Sequence, residues 1–551
     1  MEARTEAARI AAEQEFHYEL LPGTELMADV AGPHQVHAHN DTNAIVLVPQ
    51  PTRHLHDPLN WSKLWKIIVM FNQASFVFIG QLPTLSIAPL TPIYVAEWNK
   101  SLSQVALLTG VVILSLGYAN FVIIPASNIF GRRPTLLVCA VIVLASNIWQ
   151  AVAKSYDSFL GARVLCGIGV AANESVMTMV VTDVFFLHER GTFIGLYFWC
   201  YFFGAMVGPI IAGSIAEKVG WRWFFWVCVI AQAVNILSLF FTFPETWRTE
   251  VVSDSNTSTS PQQLQEHETK TGTETDNAIG TRLEQVQTSG TFDEALGKGR
   301  PVRAQFMPWQ PINSAAVKTL LHHIVTPIEI VVFPIVFWAA CTMGMAATLL
   351  LAINLTQSQS LAAPPYNFTP QNVGFSSFAL AAGASIGLFT AGPLSDWIAM
   401  RSTKRNNNIR EPEMRLPALL PFSLLAIVAM LVVSVGAQHH WPWEAIVIFG
   451  YTGIGMITVG LSVISVTYAV DSYKPIAGQI MTTCTVFKNT FDFGMTYWLN
   501  DWVVSAGYIE PLMILMAVTV AFSVIGIAVM MKYGKTFRRW TRNSKLHSWK
   551  D

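Results

Sequence analysis

Four charged residues stand inside long apolar stretches of the chain: Arg163, Glu174, Lys488 and Asp492. Charge is expensive in apolar surroundings and is kept where it serves a purpose. Glu174 can hold or release a proton as its hydration changes, or bind a cationic group. Lys488 and Asp492 are four residues apart, so on a helix they share a face and can neutralise each other. Glu174 has no such neighbour in its own segment, and Asn173 beside it adds a neutral donor and acceptor. Glu174, Asp492, Lys488, Arg163 and Asn173 are therefore the candidates for proton exchange and ligand contact. A second set, Arg132 and Arg133 with Asp183, Asp396 and Asp471, lies where apolar runs end in short loops and can pair by charge.

The elements that must carry these groups follow from composition. Of 551 residues 52% are hydrophobic and 13% charged, with a mean hydropathy of +0.42. Soluble chains hold about a quarter charged residues. The apolar runs have the roughly 20-residue length that crosses a bilayer. We read an all-α polytopic membrane protein with twelve transmembrane helices in two six-helix repeats. The spans fall near 67–92, 102–125, 134–153, 158–182, 192–214, 222–243, 327–353, 371–395, 416–436, 444–468, 476–500 and 509–531. Glu174 then lies about 13 Å from the inner end of the fourth span, and Lys488 about 20 Å deep in the eleventh, at 1.5 Å per residue. The organisation is a tail over 1–63, a bundle over 64–243, a largely disordered loop over 244–326, a second bundle over 327–532 and a basic tail over 533–551.

Several other patterns carry no chemistry. "GASIG" (383–387) fits a nucleophile motif but lies mid-span with no preceding strand. No Gly-x4-Gly-Lys-Ser/Thr occurs, which excludes a P-loop pump. "HQVHAHN" (34–40) reads as a solvated tail, and no metal or other cofactor is expected. Cys139, Cys166, Cys200, Cys228, Cys341 and Cys484 all fall inside spans, as packing residues without disulfides. The first 60 residues lack a secretory signal pattern. A formal net charge of −1 argues neither way on nucleic acid, and no such partner is expected.

Lysine and arginine set the orientation. With the N-terminus inside, the inner loops hold Arg132, Arg133, Arg190, Arg401, Lys404, Arg405, Arg410, Arg415 and Lys474; the outer ones hold Lys100, Lys154, Lys218 and Arg222. Both termini are then cytoplasmic. Asn-x-Ser/Thr sequons at Asn99, Asn354 and Asn367 fall in the expected outer loops 93–101 and 354–370, whereas Asn40 and Asn256 fall inside. The halves repeat: Asp183 and Asp471 end the fourth and tenth spans, and "PASNIFGRRP" and "GPLSDWIAMRS" end the second and eighth.

These stretches resemble the major facilitator superfamily, and within it the fungal twelve-span drug:proton antiporter-like branch. The likeness covers about residues 57–535 without the central loop. It rests on "DPLNWS", "RVLCGIGVAANES", "DVFFLHERGTFIG", "GWRWFFWV" and "FPETW" in this order. The family's loop motif, Gly-x-Leu-Ala-Asp-Arg-x-Gly-Arg-Arg, is kept as Gly131-Arg132-Arg133 but has Asn128 for its aspartate and Ile124 for its first glycine. The second repeat keeps Gly392, Leu394 and Asp396 but has Ala399 and Met400 for Gly-Arg. The resemblance implies an inner gate in which these loops latch the halves by charge, with Asp183 as partner for Arg132 or Arg133. Gly204, Gly208, Pro209 and Gly213 in "GAMVGPIIAG" resemble the fifth-span motif associated with antiporters, with Ala212 for one glycine. Gly204 and Gly208 share a helix face and admit a close backbone, and Pro209 supplies a bend.

The function implied is a proton-coupled secondary transporter in the cell membrane, exporting a small organic molecule, and not an enzyme. Its expected partners are a small-molecule substrate, protons and the lipid bilayer, with the chain a monomer. An importer of a polyamine-like cation on the same fold, and a non-transporting nutrient sensor, are the alternatives. Aromatic stretches such as "YFWCYFFG" and "WRWFFW" suit bulky apolar compounds, and also suit bilayer interfaces.

Overall fold

Residues 25–26, 56–247, 297, 299–307, 309, 320–406, 409–473 and 476–541 are described by a computed structural model. The 34–40 stretch, Asn40, Asn256, Lys474 and the tail past residue 541 lie outside the described residues. So do most of 1–63 and 244–326, and the side chain of Arg190. Helices make up nearly all the rest. The first half contains α1 (Lys63–Gln81), α2 (Thr91–Trp98), α3 (Leu102–Phe130), α4 (Arg132–Val152), α5 (Tyr156–Val170), α6 (Ala172–Val184), α7 (Leu187–Lys218) and α8 (Arg222–Thr242). The second contains α9 (Leu320–Glu329), α10 (Pro334–Leu361), α11 (Pro370–Arg405), α12 (Leu419–Gln438), α13 (Thr452–Ser472), α14 (Ala477–Ala506) and α15 (Ile509–Thr541).

Ten helical segments among the described residues are long and apolar enough to cross a membrane, with α5 and α6 counted as one. Helices α1 and α14 bring the total to the twelve expected. They fall short on composition because they carry polar groups inward: Asn72, Gln73 and Gln81 on α1, and Asn489, Asp492 and Asn500 on α14 are all buried. A helix hides its own backbone polar groups, so in a membrane its side chains alone decide which face meets lipid.

Several boundaries differ from the sequence reading. The first span stops at Gln81, and a turn through Leu82–Ile87 and a short 3₁₀ stretch (Ala88–Leu90) lead to α2. The fourth is interrupted at Ala171, so Glu174 falls in the first turn of a restarted helix. The seventh runs on through Asn354 to Leu361. Part of the central loop also belongs to the packed structure. The Gly299 carbonyl accepts from Ser62 N–H at 2.9 Å and its N–H donates to the Asn60 carbonyl at 2.9 Å. Phe306 lies 6.0 Å from the Trp65 ring, so hydrophobic contact holds what polarity by itself marked as loop.

The two halves meet along α3 with α14 and α7 with α11. Small residues permit this. Across the halves a side chain at Gly213 would collide with the Pro370 carbonyl at the start of α11, and within the first half one at Gly208 would collide with the Leu82 carbonyl of the turn after α1. Pro209 returns the contact, its carbonyl lying 2.6 Å from where a Cβ on Gly374 would stand. "WRWFFW" divides: Trp221, Phe224 and Phe225 are buried, with Tyr94 and Trp221 edge to face at 4.9 Å, while Trp223 and Trp226 are exposed on the outer face of the bundle.

The sequon reading needs one correction. Asn354 is 1% exposed within α10, where no glycan fits, because the helix runs on to Leu361 and buries Asn354 together with Thr356, Gln357 and Ser358. Asn99 and Asn367 are exposed and adopt left-handed backbone, φ 49° and 48°, which asparagine tolerates. In protein expressed in a glycosylating host, Asn99→Gln and Asn367→Gln together should abolish the glycosidase-sensitive gel shift. Asn354→Gln should leave it intact.

Candidate functional site

The break at Ala171 turns the start of α6 toward the second half. There the Glu174 carboxylate meets the Lys488 ammonium of α14, with Nζ 2.6 Å from Oε1. Their side chains are 7% and 12% exposed, so this is a buried pair between the halves. The Tyr201 hydroxyl on α7 donates to the same Oε1 at 2.5 Å, and Asn489 Nδ2 donates to Oε2 at 3.2 Å. Each carboxylate oxygen thus has a donor, which is what a buried charge requires. Lys488 also sits 3.4 Å from the Tyr201 hydroxyl and 5.5 Å from its ring centre.

This arrangement overturns one expectation and completes another. Glu174 has no partner in its own segment and is neutralised by a residue more than three hundred positions away. Lys488 turns to Glu174 rather than to Asp492, with which it forms no ion pair among the described residues. Asp492 is buried one turn along α14 and contacts Thr348 on α10 at 3.1 Å. Tyr201, Asn489 and Thr348 went unread because neutral polar residues in apolar runs give no signal without a partner in view.

Arg163 and Asn173 stand apart from this cluster. Arg163 is fully buried and donates to three carbonyls: Leu108 at 3.0 Å, Pro83 at 2.6 Å and Thr84 at 2.8 Å. Pro83 and Thr84 belong to the turn after α1, which leaves their oxygens without helical partners, while Leu108 lies within α3; a guanidinium with five donors thus ties the turn to that helix. Asn173 Nδ2 donates to the Val77 carbonyl at 3.3 Å, while its own carbonyl accepts from Tyr197 at 2.6 Å. Its side chain faces α1, not Glu174.

At the end of the bundle that carries the loop motif, Arg132 Nε lies 3.2 Å from Asp183 Oδ2 and Nη1 donates to Asn128 Oδ1 at 2.6 Å. The expected pairing is present, yet both residues belong to one half; the charge joins α3, α4 and α6 to each other instead of latching half to half. The second half repeats it. Arg415 contacts Asp396 at 2.8 Å and Asp471 at 2.8 Å. Its arginine comes late because α11 continues to Arg405, past Ala399 and Met400. Arg133 is fully buried, donating to the Phe240 carbonyl at 2.6 Å and to that of Phe243. Glu245 of "FPETW" accepts from the backbone N–H of Arg132 and of Arg133, each at 3.0 Å, and so caps α4. Glu413 and Arg538 form the matching link between the start of the ninth span and α15, 2.8 Å apart.

Two helical halves, packed through glycine contacts and joined mid-bundle by a buried pair, make the architecture of a membrane transporter and not of an enzyme. The chain belongs to the Major Facilitator Superfamily, whose family model matches residues 69–489. It is 26% identical to an uncharacterized MFS-type transporter of Schizosaccharomyces pombe, over 96% of this chain and 94% of that one. Protein HOL1 of Saccharomyces cerevisiae is 24% identical over 92% of each chain. A probable efflux pump, mfs2, of Aspergillus flavus is 23% identical over 82% of this chain and 98% of that one. The human organic anion transporter MFSD10 has the same fold, with a TM-score of 0.51 and 14% identity over 84% of this chain and 99% of that one.

Removing the Glu245 carboxylate uncaps α4 and leaves buried Arg133 with less compensation. Glu245→Ala should lower stability by about 2 kcal/mol or more. Thermal unfolding in detergent, with Arg303→Ala as an exposed control, is the measurement.

Proposed function

We propose that the protein is a proton-coupled secondary transporter that moves a small organic molecule by alternating access, in the direction of export. In this reading the loop-motif end faces the cytoplasm of the cell membrane, as the lysine and arginine distribution favours. The observation that carries it is the Glu174–Lys488 pair. An ion pair between two bodies that must rock apart has to break in every cycle, and breaking it leaves two uncompensated charges in a low dielectric. A proton on the carboxyl relieves half of that penalty, so protonation and separation of the halves are linked by a shared free energy. Export is favoured by relatives called efflux pumps, the Aspergillus flavus protein among them.

Uptake of a cationic solute is the second reading. It draws on the fact that Glu174 and Tyr201 already hold a primary ammonium, that of Lys488. A solute amine would take the place of the lysine. Glu174→Gln keeps size and hydrogen-bonding capacity while removing the charge. In vesicles tested with neutral and cationic organic solutes, it should cut proton-driven accumulation about tenfold or more, within the usual 1–3 kcal/mol coupling range. Gradient-independent exchange should persist. Unchanged accumulation and pH dependence in Glu174→Gln would sink the reading.

A further inference from the structure

Orphaned polar atoms gather where the halves meet at the end opposite the loop motif. Asn354 on α10 is 1% exposed, and neither its Nδ2 nor its Oδ1 has a hydrogen-bond partner among the described residues. One turn on, Ser358 is 3% exposed with Oγ unpartnered, and beside it Gln359 Nε2 is buried and unpartnered. Asn500 on α14 is 2% exposed; its Nδ2 donates to the Leu102 carbonyl of the other half at 3.4 Å, and its Oδ1 has no partner. Buried amides left unpaired are costly and rare in native interiors. Together these atoms demand a group that the chain does not supply. Two adjoining cavities face them. A notch with about 10 Å³ of free space, room for one water-sized group, is lined by Asn354, Asn500, Thr91 and Thr109. Thr91 also borders a cleft of about 580 Å³, whose lining includes Ser358, Gln359, Val95, Val503 and Val504. That volume suits a drug-sized molecule. Asn500 lies about 18 Å along α14 from Lys488 at 1.5 Å per residue, so the cavities are separate from the mid-bundle pair.

The donors and acceptors select the ligand. Asn354 offers both, Gln359 Nε2 donates and Asn500 Oδ1 accepts. An ammonium would leave the donors unpaired, and a carboxylate the acceptors. No acidic or basic side chain lines either cavity to compensate a charge. A hydroxyl or a primary amide gives and takes at once. We propose that notch and cleft form a solute site of their own for an uncharged organic molecule. It seats a hydroxyl or primary amide between Asn354 and Asn500 and lays an apolar body against Val95, Val503 and Val504. The inference rests on the transporter reading and names its substrate class. Thr91 and Val95 come from one half, Asn354, Asn500, Val503 and Val504 from the other, so rocking of the halves opens and closes this site.

Equilibrium binding of tritiated naphthylmethanol to the purified full-length protein in detergent tests this without a proton gradient. Competition with naphthylmethylammonium and methylnaphthalene, which share its apolar body, reads the class. The alcohol should bind about tenfold or more tightly than either, the worth of a hydrogen bond to a buried group otherwise unpaired. Asn354→Leu should weaken the alcohol about tenfold and leave methylnaphthalene unchanged. Val504→Trp, at a residue 70% exposed on the cleft, should block all three, and it serves even if the asparagine variant fails to fold. No preference for the alcohol in the wild type overturns the class. Equal affinity in the wild type and Asn354→Leu leaves the notch to water and overturns the site, as does binding that survives Val504→Trp. Binding that follows both variants, with no accumulation of the alcohol in vesicles, would support the site and count instead against the transporter reading.

Discussion

A charge buried between two moving bodies must be compensated in every arrangement those bodies adopt, and Glu174 with Lys488 imposes that demand here. Much of the mid-bundle architecture answers it. The interruption at Ala171 presents Glu174 from the first turn of α6, at the positive end of that helix dipole. Tyr201 and Asn489 supply the remaining donors, one from each half. The glycine contacts between α7 and α11, at Gly213 and Gly374, let the halves approach closely, and the 2.6 Å pair forms across the same interface.

The loop-motif end shows the same concern for compensation, solved twice. Asn128, Arg132 and Asp183 in one half correspond in place to Asp396, Arg415 and Asp471 in the other. A second link ties the start of the third span to the end of the sixth through Arg133 and Glu245, and the start of the ninth to α15 through Glu413 and Arg538. The two links differ in chemistry: in the first half Glu245 takes the backbone N–H groups of Arg132 and Arg133 while the Arg133 guanidinium goes to main-chain carbonyls, and in the second Glu413 and Arg538 pair through their side chains. These links tie the span ends within each half to one another.

Irregular backbone is paid for locally. The turn between α1 and α2 would strand carbonyls in an apolar interior, and Arg163 collects two of them, those of Pro83 and Thr84, together with the Leu108 carbonyl of α3. Its charge is thus fully used in holding a turn, which leaves the mid-bundle chemistry to Glu174, Lys488 and Asp492. Charge in a membrane span points to purpose, but the purpose divides between backbone and ligand according to what faces the side chain.

The sequence determined the helical class, the number of spans and the duplication, because length and apolarity act residue by residue and need no partner. It also placed Glu174, Lys488 and Asp492 in the interior and singled out Arg132 with Asp183, since charge in or beside an apolar run is visible locally. Tertiary structure decided who pairs with whom. Lys488 had a carboxylate one turn away and took one on another half; Asn354 matched a glycan acceptor and lies buried in α10; "WRWFFW" suited a ligand wall, yet Trp221, Phe224 and Phe225 became packing and Trp223 and Trp226 face outward. Tyr201, Thr348, Glu245 and Arg415 acquired their roles only when the fold brought a donor, an orphan amide or a carboxylate against them. A one-dimensional pattern records what a residue can bond, and the packing of distant helices selects which bond is made.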